Sequence, residues 1–425
     1  MNRKAISIII IFILAVIAGN WVYGSILAKK IEQKLKARVA VLGEDVQLDI
    51  SELNVNPILS KMQLDGVLIK GADGMQLAHI KRVKLDIPYR EAMRWLNSEK
   101  YGEIKSFRLK AHDLSLYVPV ADDNLLVEEL ILDFDGHLTQ DNMVRLDHNF
   151  PETRQHLKVK VSHVEFALTP WMDALGFTAE QRDQFNHIDK VTLDLHFDPH
   201  KRELNMKAIH LDAPLLSMQA RGHLTYVGDG LQGMHVQSTQ SALELKLNKE
   251  GLVWGDPTVN GKFSLGKLHI QTESELDYAG DYPLVKSQAS SFLLEDLSLS
   301  FEGKKKAQLE AQTALLGLDL NTLGVKRFAL CTSLNNEVLT VYDTEIISSL
   351  IDASLEASVA MNALDPMQSL INEGRLEINK LQVGLQNALS TFELMTGQTL
   401  PRKGDAIILE MSGPVGRPII KGFKY

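Results

Sequence analysis

Val46-Gln47-Leu48-Asp49-Ile50-Ser51 sets an apolar side chain at every second position, and a period of two marks a strand with one apolar and one solvated face. The rhythm spreads outward from there. Met62 and Leu64 lead across Asp65-Gly66 to Val67 and Ile69, followed by Ile80, Val83, Leu85 and Ile87, by Ile104, Phe107 and Leu109, and by Leu114, Leu116 and Val118. It returns at Leu157, Val159 and Val161, at Val191, Leu193, Leu195 and Phe197, and later at Leu243, Leu245 and Leu247, Leu297, Leu299 and Phe301, and Ile407, Leu409 and Met411. Turn signals at Asp73-Gly74, Asp135-Gly136, Gly228-Asp229-Gly230, Lys249-Glu250-Gly251 and Glu302-Gly303 separate the runs. The pattern predicts a mainly β chain of roughly 18–22 strands in nearest-neighbour antiparallel hairpins. Short helices are expected over Tyr89–Glu99, Pro170–Phe185, Leu364–Asn372 and Leu385–Thr396. There is no βαβ alternation, which disfavours a doubly wound sheet.

The N-terminus reads differently. Arg3 and Lys4 precede an apolar run from Ala5 that resumes after Gly19 and reaches Leu27, long enough to cross a hydrocarbon core of ~30 Å as a helix. Ile8, Ile11, Leu14 and Ile17 supply its greasy body, and Trp21 and Tyr23 stand where an interfacial aromatic belt would lie. The competing reading is a cleaved export signal with Val16 and Ala18 at its small positions. Leu27, Ile31, Leu35, Val39 and Leu42 then recur at helical spacing with basic residues between them, so a helix continues past the apolar run. It is expected to pack on the first strands, or else to lie on anionic headgroups. The expected organisation is an anchor over 1–28, a connecting amphipathic helix over 29–44 and an elongated β domain over 45–425.

Composition narrows the function classes. A net charge of −9 on 425 residues argues against nucleic acid as a partner. A single cysteine, Cys331, leaves no internal disulfide framework and no thiolate-rich metal site. Of the 13 histidines, His196 and His200 are four apart, but Asp198-Pro199 keeps them off one helical face. His187, His196, His210 and His223 fall on separate expected strands. No HExxH, phosphate-cradling glycine loop, GxSxG elbow or paired-carboxylate signature is present. Lys304-Lys305-Lys306 reads as a solvated turn. The expectation is therefore a protein that is not an enzyme, with no metal and no cofactor.

A sheet of that many strands exceeds what an open twisted sheet carries without curling. Curled about its own axis, it makes a trough with an apolar lining. The hydrophobic effect favours filling an open apolar trough with acyl chains, at ~0.8 kcal/mol per buried CH₂. Leu48, Ile50, Leu64, Ile69, Leu85 and Ile87 are the candidate groove lining, subject to the register rule that a one-residue slip exchanges the faces.

The phrases Val46-Gln47-Leu48-Asp49-Ile50, Asn56-Pro57, Leu64-Asp65-Gly66-Val67-Leu68-Ile69, Ile104-Lys105-Ser106-Phe107-Arg108-Leu109 and Leu114-Ser115-Leu116-Tyr117-Val118 follow an apolar N-terminal segment. In that order they resemble the start of AsmA-like proteins of Gram-negative envelopes. The closing phrase, Ile408-Leu409-Glu410-Met411-Ser412-Gly413-Pro414-Val415-Gly416-Arg417-Pro418-Ile419-Ile420, resembles the end of many such domains. The resemblance covers about the first 120 and the last 60 residues and rests on strand rhythm with Gly/Pro punctuation. It implies a single-pass inner-membrane anchor, a periplasmic β-groove body, phospholipid or acyl chains as cargo, and a role in phospholipid transport or outer-membrane assembly. The lysines at 29, 30, 34 and 36 and Arg38 point the other way, since flanking positive charge favours a cytoplasmic C-terminal side. The alternative is a membrane-tethered β-scaffold that binds another envelope protein.

Overall fold

The computed structural model describes residues 20, 23–36, 47–71, 74–88, 90–91, 94, 103–118, 123–139, 150–165, 182, 186–230, 233–247, 252–255, 260–279, 282–303, 306–314, 323–362 and 365–422. The chain is mainly β, with 70% of it in strand, and the strands pair antiparallel. It divides into two compact units, the first built on residues 1–171 with 186–211 and 227–235, the second on 172–185, 212–226 and 236–425.

The first unit holds β1 (Gln47–Asn56), β2 (Lys61–Lys70), β3 (Gln76–Asp86), β4 (Glu103–Val118), β5 (Asp123–Thr139), β6 (Gln155–Glu165), β7 (His187–Asp198) and β8 (Glu203–Asp212). From β1 to β7 each strand pairs antiparallel with the next. The second unit holds β9 (Leu216–Val227), β10 (His235–Leu247), β11 (Leu252–Gly255), β12 (Asn260–Ala279), β13 (Tyr282–Glu302), β14 (Gly324–Asn335), β15 (Val338–Ser348), β16 (Ile351–Ala360), β17 (Leu370–Leu381), β18 (Arg402–Lys403), β19 (Ala406–Pro414) and β20 (Ile419–Ile420). Its ladder runs β10 to β12, then strand by strand to β17 and on to β19.

A helix, α1, covers residues 23–36 without a break at 28. Its positions Leu27, Ala28 and Ile31 are among the most buried apolar residues, Ile31 at 1% exposure. Asn20 donates to Asn56 Oδ1 at 3.1 Å and accepts from the Ile58 amide, tying the helix start to the β1–β2 turn. This is the packing expected of a helix laid on the first strands. Ile8, Ile11, Leu14, Ile17 and Trp21, like Val39 and Leu42, lie outside the described residues. Tyr23 is described and half exposed. Among the described residues no helix is long and apolar enough to cross a membrane.

Several local expectations are corrected. Asp135-Gly136 is no turn: both residues lie inside β5. The Gln155 side chain fills the space a Cβ at 136 would need and accepts the His137 amide at 3.0 Å, so the glycine serves a close approach instead of a bend. The helix expected over Leu364–Asn372 is a single 3₁₀ turn, Pro366–Gln368, capped by Asp365. Leu370 onward is strand because Ala360 on one side and Pro414 on the other offer ladder partners, and tertiary pairing overrides local periodicity. Lys306 opens a helix, α2 (Lys306–Ala314), where a turn was expected. His187 and His196 share one strand, β7. The last expected helix is present as α3 (Val383–Thr396), closed by Gly397 in the left-handed conformation. Of Tyr89–Glu99 and Pro170–Phe185 only Arg90, Glu91, Arg94 and Arg182 are described, and these are helical.

Candidate functional site

The register of the first unit collects its apolar side chains into continuous rows on one face. One row crosses all seven paired strands as Ile50, Val67, Ile80, Leu114, Val127, Val164 and Ile188. The next runs Leu53, Leu64, Val83, Ala111, Leu130, Val161 and Val191, and a third Val55, Met62, Leu85, Leu109, Leu132, Val159 and Leu193. Shorter rows flank them: Leu48, Ile69, Ala78, Leu116 and Leu125 at one end, and Phe107, Phe134, Leu157 and Leu195 at the other. The Phe107 and Phe134 rings stack with centroids 5.5 Å apart.

Between the first two rows the pleat changes phase. Each ladder skips one residue pair there, so Ser51, Gly66, Lys81, Asp113, Glu128, His163 and Asp189 form a seam across the strands. On alternate strands the seam residue has positive φ: Gly66 at 62°, Asp113 at 50° and His163 at 48°. Glycine adopts this region freely, and Asp and His are among the residues enriched there. The extra residue moves the apolar spacing from two to three, as in Ile50 to Leu53, Val127 to Leu130 and Val161 to Val164. The apolar side chains nonetheless stay together, for Leu130 and Val161 pack on Leu114, Val127 and Val164 from across the seam. The second unit repeats the device where its ladders skip Gly266, Asp296 and Lys326, with Asp296 at φ 52°. Its longest apolar row is Leu245, Leu268, Leu294, Phe328, Ile346, Ala353, Ile378 and Ile407.

The other face of the first unit is ionic. Arg82 binds Asp65 at 2.7 Å and Arg108 grips Asp133 through two nitrogens at 2.5 and 2.9 Å. Lys158 reaches Asp194 and Lys160 reaches Glu129. Hydrogen bonds from Gln63 and then Arg82 hold the Asp65 carboxyl below its ordinary pKa. The seam itself is lined by polar contacts, the Lys81–Asp113 ion pair and the approach of His163 Nδ1 to Glu128 at 2.7 Å.

All six residues expected from the sequence to line a groove lie on the apolar face. Leu48 sits beside Ile69, Ile50 beside Val67, Leu64 beside Val83 and Leu85 beside Leu109. Ile87 packs with Ile104, Leu85 and Phe107. Sequence reasoning passed over the aromatic end of this face, where a cavity of about 480 Å³ is lined by Leu59, Ile87, Phe107 and Phe134 on one side and by Lys61, Arg108, Asp133 and His156 on the other. The apolar face is buried in two patches, along the seam at Val67, Leu114, Val127 and Val164 and at the far end at Ile87 and Ile104, while Leu53, Leu64, Leu85, Leu109, Leu132 and Val159 between and beside them are only partly so. A second layer over a sheet would bury such side chains outright. Comparison with protein-family models, with curated proteins and with solved structures finds no match.

Proposed function

We propose that this chain is a non-enzymatic, membrane-anchored envelope protein whose apolar sheet face receives the acyl chains of phospholipids. The observation that carries the reading is the incomplete burial of rows of Leu, Val and Ile on one face, opposite a face that carries ion pairs such as Arg82–Asp65 and Arg108–Asp133. Ten methylenes laid on such a surface, half of their area removed from water, gain about 4 kcal/mol before ordering costs. The cavity at the Phe107–Phe134 end, with Lys61 and the Arg108–Asp133 pair at its margin, offers a place where a tail meets polar surface. The apolar run that opens at Ala5 and ends before Asn20, which is bonded to the β1–β2 turn, would tether the body at an inner membrane, with the body in the periplasm as the AsmA-like resemblance implies, and lipid transport or outer-membrane biogenesis as the process served.

The test is to purify the full chain in mild detergent and analyse extracted lipid by mass spectrometry, alongside the variant Leu109→Thr/Leu132→Thr. Stoichiometric phospholipid on the wild type and its loss from the variant, with the circular dichroism of both unchanged, is the expected result. Lipid at the level of a detergent blank on the wild type refutes the carrier reading and leaves the tethered scaffold.

A further inference from the structure

The ionic face carries a second constellation, which shares only His156 with the cavity at the Phe107–Phe134 end. His156 on β6 and His196 on β7 are register partners, and Asp194 precedes His196 by two residues on the same face of its strand. The imidazole rings stack with centroids 3.8 Å apart. Asp194 Oδ1 lies 2.9 Å from His156 Nε2 and 2.8 Å from His196 Nε2. All three ligand atoms fall within 4.8 Å of one another. Lys158 reaches the second carboxylate oxygen at 3.4 Å and fixes its orientation. His196 Nε2 is closed off from solvent and, despite its nearness to Asp194, makes no hydrogen bond. An imidazole nitrogen placed this way carries an unused lone pair or an unused proton, and either costs free energy.

Arg154, at the margin of the same site, is neutralised by Asp198 at 2.8 Å. A cavity of about 480 Å³ opens over the two histidines, with Asp135 and Glu203 and also Lys201 and Lys207 among its walls.

We propose that His156, Asp194 and His196 form a three-ligand site for a divalent transition-metal ion of the zinc type. Two imidazoles and a carboxylate are a donor set zinc accepts, with metal–ligand distances of about 2.0–2.2 Å and a fourth position left to water. The ligand atoms close on such an ion by side-chain rotation, because the strand register already sets them together. Bound there, the ion links β6 to β7, and Lys158 acts as the outer partner that orients the carboxylate.

The experiment uses the full chain in mild detergent, stripped with EDTA and titrated with Co²⁺ as a spectroscopic stand-in, with Zn²⁺ added to displace it. One equivalent of Co²⁺ giving visible d–d bands, removed by Zn²⁺, is expected for the wild type. His196→Asn and Asp194→Asn are expected to bind at least about tenfold more weakly, and His187→Asn, on the same strand outside the cluster, to bind as the wild type does. Zn²⁺ should raise the melting temperature of the wild type and not that of His196→Asn. Absence of Co²⁺ bands in the wild type, or equal binding by His196→Asn and Asp194→Asn, overturns the assignment. Loss of binding on His187→Asn alone does so too.

Discussion

Gly66→Ala tests the seam that keeps the apolar rows in phase. Gly66 sits at φ 62°, where an L side chain costs about 1–2 kcal/mol. A Cβ there would also lie 2.3 Å from Ser51 Oγ and 2.8 Å from Ser51 Cβ. Ser51 rotates only at the expense of its hydrogen bond to the Gly66 carbonyl at 3.3 Å, and overpacking of this kind costs about 1–3 kcal/mol. The two terms together give about 2–5 kcal/mol. For a folding unit of roughly 200 residues at about 2–4 °C per kcal/mol, this lowers the melting temperature of the first unit by roughly 4–20 °C. The assay is thermal unfolding followed by circular dichroism, with Ser51→Gly and the double variant completing a cycle. Removing the Ser51 side chain should restore the steric part and leave the conformational part, a coupling of at least about 1 kcal/mol. Gly66→Ala melting with the wild type, or strict additivity in the cycle, would refute the reasoning that the seam requires this backbone geometry.

Two further outcomes follow from the same structure. Ile31→Ala should destabilise the first unit by about 2–5 kcal/mol through the cavity it leaves under α1, since Ile31 is 1% exposed; Gln33→Ala on the exposed side of the helix should change the unfolding free energy from urea titration by no more than about 0.5 kcal/mol. Because the folded-state pKa of Asp65 is depressed, its contribution is complete above the unfolded value of about 3.9 and is lost as pH falls through the lower folded value. Stability of the wild type measured from pH 5 to pH 3 should therefore decline more steeply than that of Asp65→Asn.

Alternation made the fold class legible, and Leu48, Ile50, Leu64, Ile69, Leu85 and Ile87, read from the sequence as a groove lining, fall on one face of the sheet. Their choice already contains the seam: Leu64 and Ile69 are five apart, which strict alternation puts on opposite faces, and the skipped residue at Gly66 brings them together. The three-residue apolar step was in the sequence, but only the pairing shows that seven strands share it at one level. Asp135-Gly136 misled because a glycine making room for Gln155 looks the same in sequence as one making a turn. Leu364–Asn372 misled because helical spacing says nothing of ladder partners many residues away. The histidine cluster was out of reach for a related reason. Asp194-x-His196 is a visible same-face pair, yet its third member stands 38 residues earlier and is brought alongside by the β6–β7 register.

The central claim, that acyl chains lie on the apolar face of the first unit, is tested most directly by a photo-reactive amino acid incorporated one position at a time along opposed rows in a Gram-negative host. Leu85, Leu109, Leu132 and Val159 sample one face, and Lys84, Lys110 and Lys160 the other. The account predicts phospholipid adducts at the first set and background labelling at the second. Adducts equal on both faces, or protein adducts alone at Leu109 and Leu132, contradict it.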